Sequence, residues 1–164
     1  MTLGKQLIEQ LRATEQPAGQ PLTAVYTTQS ATVAFFDRDR YSVALRDMLV
    51  RSGSASPDDA RTFLSATAAT VARRLSFLEE PLAVWELDGS EGIAQLRSSP
   101  PQREGDALSY WEVTLWAEPP RAQVARYHWQ PGMAEREVVA YPATFALLGR
   151  VADALAAALA EPMA

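Results

Sequence analysis

The chain has 164 residues, with 15 lysines and arginines against 20 acids and no cysteine. That length suits one domain, 1–164, with surface enough to bury for a proper core. The absence of cysteine excludes disulfides, thiolate metal sites and a cysteine nucleophile, and a formal charge of −5 disfavours nucleic acid and anionic membrane surfaces as partners.

The single histidine, His128, excludes a multi-histidine metal site within one chain. No charged-then-apolar leader pattern stands in the first thirty residues, and no run approaches about 18 apolar residues. The expectation is a cytoplasmic protein with no membrane contact.

Leu3, Leu7, Ile8 and Leu11 recur at helical spacing behind Thr2, a candidate N-cap, and predict a helix over 2–15. Gln16-Pro17-Ala18-Gly19-Gln20-Pro21 breaks it. The β-branched and aromatic stretches 22–28 and 31–36 predict a hairpin turning at Gln29-Ser30. Apolar residues on both faces of 31–36 predict a strand covered on both sides.

Residues 41–51 carry two patterns. Tyr41, Ala44, Leu45, Met48 and Leu49 fit a helix, with Asp39 as cap and Gly53 as stop. Tyr41, Val43, Leu45 and Leu49 also suit one strand face, and the helix is favoured. Ser56 as cap and Pro57 at the first helical position predict a long helix over 57–79, stopped by Pro81.

From Leu82 the period becomes two, predicting strands at 82–88, 92–98, 107–118, 122–130 and 135–140. Turns are expected at Asp88–Gly92, at Pro119-Pro120-Arg121 and at Gln130-Pro131-Gly132, and a mobile loop at Ser99–Gly105. Pro142 opens a last helix over 142–160, which Pro162 follows. The fold class is α+β: an antiparallel meander of about five C-terminal strands plus an N-terminal hairpin, packed by helices at 2–15, 57–79 and 142–160.

Aromatic crowding is the strongest local bias. Tyr110, Trp111, Trp116, Tyr127, His128 and Trp129 fall within twenty residues, on two strands expected to pair. They are the candidate binding surface or pocket, since such rings combine large contact area with a polar tip. The plainer alternative is core packing. Tyr110 and Trp111 must point to opposite sides, as must His128 and Trp129.

Other chemistry is weakly signalled. Glu86, Asp88, Glu112 and His128 are the available acids and bases, and a three-residue hairpin loop would set Glu112 across from Arg126 as a cross-strand ion pair. Asp37 and Asp39 are spaced for a cation but flanked by Arg38 and Arg40, so a solvated turn is the expectation. Arg46, Arg51, Arg73 and Arg74 are read as solvated. No phosphate-binding glycine loop and no serine elbow occur. No cofactor, metal or catalytic residue is assigned.

In element order alone, hairpin, two helices, meander and long terminal helix is similar to the helix-grip folds, which enclose apolar ligands. With 41–51 as a strand, the order is similar to small secretion-chaperone-type domains, which dimerise and bind other proteins. The expected function is a non-catalytic module that binds a protein partner or itself through an aromatic-rich sheet surface. The alternative is a protein or enzyme holding an apolar small molecule between the sheet and the terminal helix.

Overall fold

The computed structural model describes residues 1–15 and 19–160. The breaks expected at Gln16-Pro17-Ala18 and at Pro162 lie outside the described residues. Among those described, three helices pack on one ten-stranded antiparallel sheet, which is the α+β class expected. No helix among them is long and apolar enough to cross a membrane.

Helix α1 spans Leu3–Ala13, and Thr2 Oγ1 accepts from Lys5 N at its start. Its apolar stripe, Leu3, Leu7 and Leu11, is fully buried. Strands β1 (Leu22–Tyr26) and β2 (Gln29–Arg38) form the hairpin. The turn falls at Thr27-Thr28, two residues before the expected Gln29-Ser30, with Thr27 at φ 56°. Nor is β2 covered on both sides. Ala31, Val33 and Phe35 are buried under helices, while Phe36 is exposed on the other side.

Residues 42–51 are strand β3 (Ser42–Arg51), not the favoured helix. The physical reason is a bulge. Register slips where Ala34 pairs Asp47 and Phe35 pairs Leu45, leaving Arg46 as the extra residue. Leu45 and Met48 therefore face the same side at a spacing of three, which imitates a helical stripe. Val43, Leu45, Met48 and Val50 are all buried on that side.

Helix α2 covers Ala60–Arg74, later and shorter than 57–79. Asp59, not Ser56, is the cap, accepting from Thr62 N. A 3-10 turn at Ser76–Leu78 follows, and Glu79 exits at φ 73°. The second half runs β4 (Leu82–Asp88), β5 (Ile93–Ser98), β6 (Gln102–Glu104), β7 (Ala107–Ala117), β8 (Pro120–Trp129), β9 (Glu137–Val138) and β10 (Tyr141–Thr144). The expected mobile loop at 99–105 thus carries a short strand, β6, paired with β7. Pro142 sits in β10, pairing Ala44, and helix α3 begins only at Phe145 and runs to Ala160. Thr144 Oγ1 accepts from Leu147 N and caps it.

The main path of the sheet is β1-β2-β3-β8-β7-β5-β4. Two meanders are therefore joined side by side through β3 and β8, and β4 and β1 form the free edges. All three helices lie on one face. Gly4 and Gly149 let α1 and α3 cross closely, because a Cβ on Gly4 would meet the Gly149 carbonyl and the Asp153 carboxylate. Asp153 ties the crossing, accepting from Gly4 N at 2.8 Å and Thr2 Oγ1 at 3.0 Å. Leu64, Val71, Leu148 and Leu155 meet Val33, Met48, Val113 and Val124 in the core between the layers.

Candidate functional site: the uncovered face of the sheet

Strand alternation decides which rings meet the helices. In β7, Trp111, Val113 and Leu115 point into the core, so Tyr110, Glu112, Thr114 and Trp116 point to the uncovered face. The register aligns Tyr110 with Tyr127, Glu112 with Ala125, Thr114 with Gln123, and Trp116 with Arg121. The β7–β8 turn is therefore Glu118-Pro119, a two-residue connection. One residue of slip separates this from the expected pairing, and it sends Glu112 and Arg126 to opposite faces. The expected Glu112–Arg126 ion pair is not formed.

Glu112 is buried on the uncovered side, yet three guanidinium contacts hold it. Arg136 Nη1 and Nη2 donate to its two oxygens at 2.8 and 2.7 Å, and Arg97 Nε donates to Oε1 at 2.9 Å. Arg136 reaches it from the segment after β8, lies 3.7 Å over the Tyr127 ring and donates to Tyr110 Oη at 3.2 Å. These bonds to Glu112 raise the Arg136 pKa still further above the usual guanidinium range. Burial pushes the Tyr127 phenol up, against the pull of Arg136.

Arg97 stands between two rings, 4.8 Å over Trp85 and 5.2 Å over Tyr110. Trp85 is 67% exposed and sits at a bulge in β4, where Val84 pairs Leu96 and Glu86 pairs Gln95. No sequence pattern singles out Trp85, Arg97 or Arg136. Only the bulge turns Trp85 towards Arg97, and Arg136 lies outside any long strand. The order in which the rings stack is thus Trp85, Arg97, Tyr110, Arg136, Tyr127.

At the far end of the same face Arg121 lies 4.6 Å over Trp116 and donates to the Glu118 and Pro119 carbonyls. Arg51 pairs with Arg121 in the β3–β8 register. Burial first, and then the charge of Arg51, lower the Arg121 pKa. Neither arginine has a carboxylate within ion-pair distance among the described residues.

The remaining expected site residues divide differently. Trp111 is a core residue, edge-on to Tyr141 at 4.6 Å. Beside it Arg126, also buried, is clamped by Glu80 through both Nη atoms at 3.1 and 3.0 Å. Ser98 Oγ donates to the same Glu80 carboxylate at 2.6 Å, so the segment leaving α2 is tied to the sheet. His128 points to the helix side, with Nδ1 3.1 Å from Ser109 Oγ. Trp129 is half-buried, and its Nε1 donates to the Met133 carbonyl. The structure therefore gathers Tyr110 and Tyr127, puts Trp116 and Trp129 at opposite ends of the same face, and places Trp111 and His128 on the other.

The acid–base candidates do not converge. Glu86 is exposed, Glu112 is held by two arginines, and His128 lies on the opposite face. Asp88 accepts from Ser90 Oγ, Ser90 N and Glu91 N in its turn, which lowers its pKa. Asp39 closes the β2–β3 turn by accepting from Tyr41 N and Ser42 N, and these bonds lower its pKa. Arg38 points away, donating to the Leu11 and Thr14 carbonyls at the end of α1. Among the described residues no group of three or more histidines and acids is placed to hold a metal. Between the sheet and α3 the apolar void lined by Met48, Trp111, Val124 and Leu148 measures about 10 Å³. Such a space is about the size of one water molecule and admits no apolar ligand.

Comparison with family models, with curated proteins and with solved structures gives no match.

Proposed function

We propose that this protein is a binding module whose uncovered sheet face engages a protein partner or a second copy. The observation that carries the proposal is the one-sided packing. Three helices cover one face of a seven-strand path, and the other leaves Trp85 exposed and Trp116, Tyr127, Arg97 and Arg136 part-exposed around a buried Tyr110 and Glu112. Tryptophan, tyrosine and arginine are the residues enriched where interfaces concentrate their energy. Seven strands at ~4.8 Å and lengths of ~30 Å give a face of roughly 900 Å², about what one partner contributes to a standard interface. Val25, Phe36 and Trp85 leave apolar surface exposed around its margins. The strand at 42–51 also gives the order helix, three strands, helix, strands, helix, similar to the secretion-chaperone-type domains named above, a likeness of order alone.

The small-molecule alternative has less support, because the space it needs beneath α3 is filled by side chains. Trp85→Ala and Trp116→Ala test the proposal. Each is expected to lower self-association by sedimentation, or to release a captured partner, while circular dichroism stays unchanged. Folded variants that alter neither property refute it.

A further inference from the structure

We propose that the partner this face fits is an acidic polypeptide segment. The inference rests on the binding reading above and adds the chemistry of what is bound. The strand register places on this side Arg46, Arg51, Arg97, Arg103, Arg121 and, from the following segment, Arg136. Against these six stand five carboxylates: Asp37, Asp47, Glu86, Asp88 and Glu112. Over these strand positions and Arg136 the arginines exceed the carboxylates by one, before the flanking-turn acids Glu118 and Glu135 are counted, on a chain whose formal charge is −5. Opposite signs across an interface steer encounter and set register.

Two places on this surface are built to receive a carboxylate. At Arg97 the Nε is occupied by Glu112 and the plane is clasped by Trp85 and Tyr110, while Nη1 and Nη2 have no hydrogen-bond partner among the described residues. The side chain is one quarter exposed, so that edge is reachable. A guanidinium fixed in this way has lost most of its rotamer freedom before binding, and its fork matches a carboxylate. The second place is the Arg51–Arg121 pair beside Trp116. These two like charges are neighbours with no acid between them, and an incoming carboxylate relieves their repulsion. Four residues along the strand and two strands across separate the two places, about 16 Å. An extended segment of five or six residues spans that distance.

A nucleic acid fits less well. Its affinity comes from many phosphates neutralised together, and a surplus of one arginine over those strand positions on an acidic chain does not supply that.

The test is fluorescence anisotropy at about 20 mM salt with a labelled twelve-residue peptide of alternating Glu and Ser, its Gln counterpart, a dT12 oligonucleotide and anionic phospholipid vesicles. The expected result is micromolar binding of the Glu peptide, weakened roughly tenfold by Arg97→Gln and by Arg121→Gln, and abolished in the Gln peptide. Arg74→Gln, on the outer face of α2, leaves it unchanged. Arg121→Gln breaks no ion pair, so the test survives if Arg97→Gln unsettles the fold. Absence of Glu-peptide binding, or indifference to both variants, overturns the proposal. Tighter binding of the oligonucleotide or the vesicles overturns the choice of partner. If the peptide fails while Trp85→Ala still alters assembly or capture, the charge inference falls alone. If neither responds, the face itself is wrong.

Discussion

Replacing Glu112 by Ala removes the centre of the ladder on the uncovered face. Its carboxylate is only 3% exposed, and it accepts three charge-assisted hydrogen bonds from two arginines. Removing one partner of a buried ion pair costs ~3–5 kcal/mol. Here the arginines are 25% and 30% exposed, so water recovers part of that, and about 2 kcal/mol remains. Urea unfolding followed by tryptophan fluorescence reads the loss. With an m-value of about 2 kcal/mol per molar, the midpoint falls by about 1 M. A double-mutant cycle with Arg136→Ala is expected to return a coupling above ~1 kcal/mol. A midpoint shift corresponding to less than ~0.5 kcal/mol refutes the reasoning, because it makes the cluster an ordinary solvated surface pair.

Three further outcomes follow from packing and protonation. Thr67 is fully buried in α2 and its Oγ1 has no hydrogen-bond partner, so Thr67→Val is expected to raise stability by about 1 kcal/mol in the same urea assay. Gly4→Ala drives a methyl into the Gly149 carbonyl and is expected to cost roughly 1–3 kcal/mol, seen as a lower thermal midpoint. Asp39, Asp59 and Asp88 are held below their usual 3.8 chiefly by hydrogen bonds from Tyr41 N, Thr62 N and the Ser90 side chain respectively. Depressed carboxyls lend stability that is complete above their unfolded pKa and is lost as pH falls through the folded one. The midpoint should therefore hold from pH 7 to about 5 and fall below 3.8, less steeply in the Asp39→Asn, Asp59→Asn, Asp88→Asn triple variant; an unchanged slope contradicts the assignment.

The layers were legible in the sequence where period and punctuation agreed. Leu3, Leu7 and Leu11 alone define the buried stripe of α1, and the period of two that begins at Leu82 marks the second meander. What misled was local irregularity. The bulge at Arg46 disguises β3 as a helix. Pro57 and Pro142, both good first-turn residues, stand ahead of their helices because Asp59 and Thr144 offer better caps. The pairing of Glu112 depended on whether one turn held two residues or three, a difference no propensity decides. For the candidate site, aromatic crowding pointed to β7 and β8 but mixed their two faces, and Trp111 went to the core. Trp85 and Arg97 are far from that cluster in sequence and meet Tyr110 only through the β4–β5–β7 register.

The most direct measurement places a photo-crosslinking amino acid at Gln95, in the middle of the uncovered face, and in a parallel variant at Arg74 on the outer side of α2. Irradiation of the full chain in its native cells, followed by mass analysis, reads which side touches another polypeptide. Specific adducts to one partner or to a second copy from position 95, and none from position 74, is the predicted result. Adducts from position 74 alone would contradict it.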